Sequence, residues 1–113
     1  MQKSYLTIGG KEYRVEVNWN ALTAFLEAVG RDTLEGLSSI SGMKPSEISA
    51  LIAASINEGE RLEGRESKLT AQDIGATLKL ADVTAFMNIY IDQSRAQMDT
   101  KEPKKEDGES QES

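Results

Sequence analysis

The side chains that could do acid–base or nucleophilic chemistry are few in kind. With no histidine and no cysteine in 113 residues, the chain lacks the commonest general base, the commonest metal ligand, the thiolate nucleophile and any disulfide. Carboxylates, lysines and serines remain. Close carboxylate pairs occur at Glu58 with Glu60 and at Glu102 with Glu106. Both pairs fall in stretches predicted to be mobile and solvated, where nothing holds two acids in geometry or raises one pKa. The spaced acids of a calcium loop do not occur. A serine nucleophile would have only a lysine or a terminal amine as its base, and no motif supports that pairing. Gly9-Gly10 is not followed by the Lys-Ser/Thr of a phosphate loop and leads into a strand instead of a helix. The sequence therefore predicts a non-enzymatic protein, with no catalytic, cofactor-binding or metal-ligating residues and no position assignable to partner binding.

Charge narrows the partners. Thirteen basic and nineteen acidic residues give 13 − 19 = −6, whereas nucleic-acid binders normally present a basic face that neutralises phosphates. The opening Met1-Gln2-Lys3-Ser4-Tyr5 has no apolar leader region. No apolar run approaches the roughly 18 residues that suggest a membrane span. The expectation is a cytoplasmic protein with neither a nucleic-acid nor a membrane partner.

The elements that would have to position any functional group begin with residues 5–30. From 4 to 17 the pattern alternates with period two around Gly9-Gly10, a pair able to take the positive φ angles of a tight hairpin turn. A two-residue loop sets Leu6 opposite Tyr13, Ile8 opposite Lys11 and Ser4 opposite Val15. Leu6, Ile8, Tyr13, Val15 and Val17 then share one face, and Thr7, Glu12, Arg14 and Glu16 the other. Asn18 is placed to cap a helix over 19–29, with Trp19, Leu22, Leu26 and Val29 on a core stripe, Phe25 on its flank and Gly30 as C-cap.

A short helix over 33–39 would use Leu34 and Leu37. Pro45 opens a helix over 45–58 whose apolar face is Ile48, Leu51, Ile52 and Ile56, with Ser55 in its middle. The charge-mixed stretch 59–68, with Gly59 and Gly64, reads as an exposed loop. Thr70 with Asp73 resembles a capping box opening a helix over 71–79 that buries Ile74 and Leu78. Asp82 would cap a last helix over 83–98, striped by Val83, Phe86, Met87, Tyr90, Ile91 and Ser94. Residues 99–113 carry no apolar side chain and are predicted disordered. The fold class is thus α+β: one domain over 1–98, an N-terminal β-hairpin packed against a small bundle of four to five helices, with a disordered acidic tail.

The run Tyr5-Leu6-Thr7-Ile8-Gly9-Gly10-Lys11, continuing through Asn18-Trp19-Asn20-Ala21-Leu22, resembles the opening of small tail assembly chaperones of long-tailed bacteriophages and prophages. That family tends to begin with an Ile-Gly-Gly-Lys hairpin turn and an Asn-x-Asn-Ala-Leu helix start. Lys44-Pro45-Ser46-Glu47 and Leu69-Thr70 are similar to later helix starts of the family. The likeness spans most of 4–98 and lies in the order and spacing of motifs that are individually common.

The resemblance implies a cytoplasmic chaperone that holds the tape-measure protein soluble while tail-tube protein assembles around it, with possible self-association and no cofactor. It also implies that a longer product can arise by ribosomal frameshifting near Lys104-Lys105. A small structural virion protein and a prophage protein-binding adaptor are the alternatives.

Overall fold

A computed structural model of the chain describes residues 3–31 and 42–98. The architecture is α+β: a two-stranded antiparallel hairpin, β1 (Ser4–Ile8) and β2 (Lys11–Val15), packed with four helices among the described residues. These are α1 (Trp19–Val29), α2 (Pro45–Leu62), α3 (Ala71–Gly75) and α4 (Leu80–Met98). The register is the predicted one, with Ser4 opposite Val15, Leu6 opposite Tyr13 and Ile8 opposite Lys11. Gly9 and Gly10 hold φ of 60° and 83°, which side-chain-bearing residues resist. Leu6, Ile8, Val15 and Val17 are buried on the core face. Tyr13 is half-buried beneath the Lys11 ammonium, which sits 5.2 Å from its ring centroid.

α2 is the centre of the packing. Its first turn uses Pro45 at a position where a missing N–H costs nothing, and the Lys44 N–H donates to Glu47 Oε1 at 3.1 Å. The helix does not stop at 58. It continues through Gly59 to Leu62, and the terminating glycine is Gly64 (φ 82°), behind which the Arg65 N–H donates to the Glu60 carbonyl at 2.9 Å. Gly59 serves a different purpose. A Cβ there would lie 2.2 Å from the Arg14 carbonyl oxygen, so the bare backbone lets α2 press directly on β2. The predicted loop over 59–68 therefore begins only after Leu62.

α1 is capped as its sequence suggests, with Asn18 Oδ1 accepting from the Ala21 N–H at 3.0 Å and Gly30 left-handed at its end. Its buried face is rotated from the predicted stripe. Ala21 and Phe25 are its buried residues, Leu22, Leu26 and Val29 pack at the margin, and Trp19 is 65% exposed. A Trp at the first helical position has no preceding turn to lie against, and α1 turns its Ala21–Phe25 side toward the core.

α3 has the predicted Thr70–Asp73 box, with both reciprocal bonds present. It ends at Gly75 instead of 79, and Ile74 is buried while Leu78 packs at the margin. α4 begins at Leu80, not 83. Asp82 lies in its first turn and accepts from the Lys79 N–H at 3.0 Å, so it supports the helix start from within. Phe86 and Tyr90 are buried as the stripe requires, with ring centroids 6.1 Å apart, but Ile91 is exposed. The predicted helix over 33–39 and the tail 99–113 lie outside the described residues.

Candidate functional site

The polar side chains of α2 form a row of clasps. Asn57 binds the 67–69 segment three times: its Nδ2 donates to the Leu69 carbonyl, and its Oδ1 accepts from the Leu69 N–H and the Ser67 hydroxyl, at 2.6–2.9 Å. Glu58 accepts from Asn18 Nδ2 at 2.7 Å, from Asn20 Nδ2 at 3.3 Å and from the Arg61 guanidinium at 2.7 and 3.0 Å. Glu60 accepts from the Arg14 main-chain N–H at 3.0 Å and from Arg65 at 2.6 and 3.1 Å. Glu63 receives Arg14 Nη1 and Lys3 Nζ.

Two of these acids, Glu58 at the end of the predicted helix over 45–58 and Glu60 in the predicted loop over 59–68, form a pair the sequence predicts to be mobile and solvated. Both are instead only 7% exposed and held rigidly. The helix runs one turn further than the glycine suggests, and the same close approach that needs Gly59 brings its neighbours under cover.

This geometry favours ionised carboxylates. The Arg61 side chain holds Glu58 down at about 2 against an ordinary 4.5, with Asn18 and Asn20 assisting and burial opposing. Arg65 lowers Glu60, and Lys3 lowers Glu63. Depressed values of this kind suit anchoring and oppose proton donation near neutrality. Of the other predicted pair, Glu102 and Glu106 lie outside the described residues. Among the described residues no cluster of acids is arranged to hold a metal ion, and no helix is long and apolar enough to cross a membrane.

A shallow cleft of about 260 Å³ opens between α1 and α2 beside the row. Its lining includes Ala24 and Ala54, with Asn20, Arg61, Arg65 and Ser67 among its polar members. Both arginines there are already engaged bidentately by Glu58 and Glu60.

Apolar side chains provide a different kind of surface. Trp19, Leu80 (87% exposed) and Ile91 (46%) stand outward from α1 and α4. On α4, Leu80, Met87 and Ile91 share one flank at helical spacing, next to the buried Phe86–Tyr90 face. Sequence reasoning placed Trp19 and Ile91 in the core and passed over Leu80. The signal that identifies Leu80 is its position at the first residue of a helix, where only one side faces packed structure.

Gln93 was also missed. Its Oε1 accepts from the Val17 N–H and its Nε2 donates to the Val15 carbonyl at 3.1 Å. The amide thus takes the place of the peptide group that β1 would supply if it reached further. Comparison with protein-family models, curated proteins and solved structures gave no match to this chain.

Proposed function

We propose that this protein is a non-enzymatic tail assembly chaperone of a long-tailed bacteriophage or prophage. In this reading it acts in the bacterial cytoplasm, binding the tape-measure protein and helping recruit tail-tube subunits. The observation that carries the reading is the ordered set of motifs Ile8-Gly9-Gly10-Lys11, Asn18-Trp19-Asn20-Ala21-Leu22, Lys44-Pro45-Ser46-Glu47 and Leu69-Thr70.

The physical roles of these residues support it. The glycines make the turn, and Asn18 and Asn20 both reach the buried Glu58 carboxylate, which gives the Asn-x-Asn spacing a purpose. The intervening Trp19 is left outside. Outward apolar side chains on α1 and α4 suit weak, repeated contact with a long helical partner, and a net charge of −6 favours solubility of the complex.

Co-expression with a candidate tape-measure protein is the test. Soluble tape-measure protein that co-purifies with the chain is expected, and unchanged insolubility removes the proposal. Recovery of the chain in purified particles would favour a structural virion component instead.

A further inference from the structure

The hairpin has two edges, and α2 closes one of them. On β2 the Arg14 N–H donates to Glu60 Oε2 and the Glu16 N–H to the Ser55 carbonyl. On β1, the two-residue turn directs the main-chain groups of Ser4, Leu6 and Ile8 toward β2, so those of Tyr5 and Thr7 point away from it. Tyr5 and Thr7 are exposed, and their outward main-chain groups have no partner among the described residues. Lysine often blunts such an edge. Here Lys11 lies over Tyr13 on β2 and Lys3 stands beyond the end of β1, paired with Glu63.

We propose that β1 pairs antiparallel with β1 of a second copy, about a twofold axis at Leu6, to make a continuous four-stranded sheet. In this register Tyr5 faces Thr7 of the other copy, an aromatic–β-branched pair of the kind that stabilises sheets. Ser4 faces Ile8, and Lys3 falls opposite Gly9, so no like charges meet.

α4 is compatible with this pairing. Thr77 lies against Gly9 and Gln93 binds Val15 and Val17, so α4 runs antiparallel to β1. Viewed from the core face with β1 running upward, L-residue geometry sets β2 on the right and the free edge on the left. A right-handed helix running downward with Phe86, Tyr90 and Gln93 turned inward then carries Ala85, Ile89 and Ala96 on its left flank. The alanines on either side of Ile89 let two copies of α4 lie side by side, and their antiparallel course brings Asp82 of one toward Arg95 of the other.

Thr7→Pro tests the proposal, because it deletes an outward N–H that the hairpin does not use, and proline is tolerated at such edge positions. At sedimentation equilibrium the wild-type chain is expected at twice the mass of one chain. Thr7→Pro is expected at the mass of one, with its melting temperature within a few degrees of wild type. Amide exchange at Tyr5 and Thr7 in the wild-type chain is the second readout, and it holds even if the proline variant does not fold. Concentrating the protein should slow both amides by about tenfold or more. A wild-type chain that stays monomeric, a folded Thr7→Pro dimer, or Tyr5 and Thr7 amides indifferent to concentration overturns the proposal. The pairing does not depend on the chaperone reading, since a dimer that fails to solubilise tape-measure protein removes that reading alone.

Discussion

α2 and α4 are nearly equal in length, at 18 and 19 residues, yet they use their side chains in opposite ways. α2 buries every residue from Ala50 to Ile56 and then Glu58, Gly59 and Glu60, so it takes charge into the interior. α4 buries Phe86 and Tyr90 and leaves Leu80 and Ile91 at the surface. Neighbours explain the contrast better than hydrophobicity does. α2 is flanked by β2, α1 and α3, whereas α4 lies mainly against β1. A helix enclosed on several sides must satisfy the polar backbone groups it covers, such as the Arg14 N–H. Glu60 does so while paired with Arg65, and Glu58, which accepts from the Asn18 and Asn20 side chains, is balanced by Arg61.

The contrast is broken most severely at Gly59. In Gly59→Ala the new methyl group overlaps the Arg14 carbonyl, and its contact is with backbone that cannot rotate away. Separation of α2 from β2 should outweigh the gain of about 1 kcal/mol in helix propensity. The net destabilisation is expected to be about 3 kcal/mol. Urea denaturation reads this as a lowered midpoint at unchanged slope. A variant as stable as wild type would mean that the close approach of helix and strand is not required.

Glu58 is the next test, and it has a pH signature. Its folded-state pKa of about 2 lies below the ordinary 4.5. Its contribution is therefore fully present above about pH 4.5 and disappears as pH falls through about 2. Glu58→Gln keeps the shape but loses the charge that Asn18, Asn20 and Arg61 share, and is expected to cost about 2 kcal/mol at neutral pH. The gap between wild type and variant should close progressively below pH 4.5. A gap constant down to pH 2 would show that the ion pair is not what stabilises the junction of α1 and α2.

The parts legible in sequence were those whose determinants are local. The hairpin register follows from alternation around Gly9-Gly10, and the caps at Asn18, Gly30 and Thr70 follow from residues within one turn. The parts that were not legible depend on what lies across the fold. Gly59 reads as a breaker unless β2 is known to touch it. Glu58 and Glu60 read as solvated unless Asn18, Asn20 and the Arg14 N–H are known to converge on them. Trp19 reads as core because periodicity gives the width of an apolar stripe but not which margin is covered.

On α4 the Gln93 amide acts as a clasp, and it does not titrate. Gln93→Leu removes the amide's bonds to the Val17 N–H and the Val15 carbonyl at the open end of the hairpin and is expected to cost about 1 kcal/mol. Unlike the Glu58 effect, this loss should be the same at pH 4 and pH 7. A loss that varied with pH over that range would mean that the amide acts through neighbouring charges and not as a substitute peptide group.

The exposed flank of α4 completes the series with the smallest effect. At 87% exposure, Leu80 has little contact to lose, and Leu80→Ser removes apolar area that is already in water. The expected change in folding stability is within about 0.5 kcal/mol, against about 3 kcal/mol or more for truncating the buried Leu51 of α2 to alanine. Because the isolated chain leaves Leu80 unused, its effect should emerge only with a partner. If α4 carries the tape-measure contact, Leu80→Ser lowers the yield of soluble tape-measure protein in co-expression while the melting temperature of the isolated chain stays put. Equal yields from wild type and variant would move the contact away from this flank, and Trp19→Ser on α1 would then be the substitution to compare.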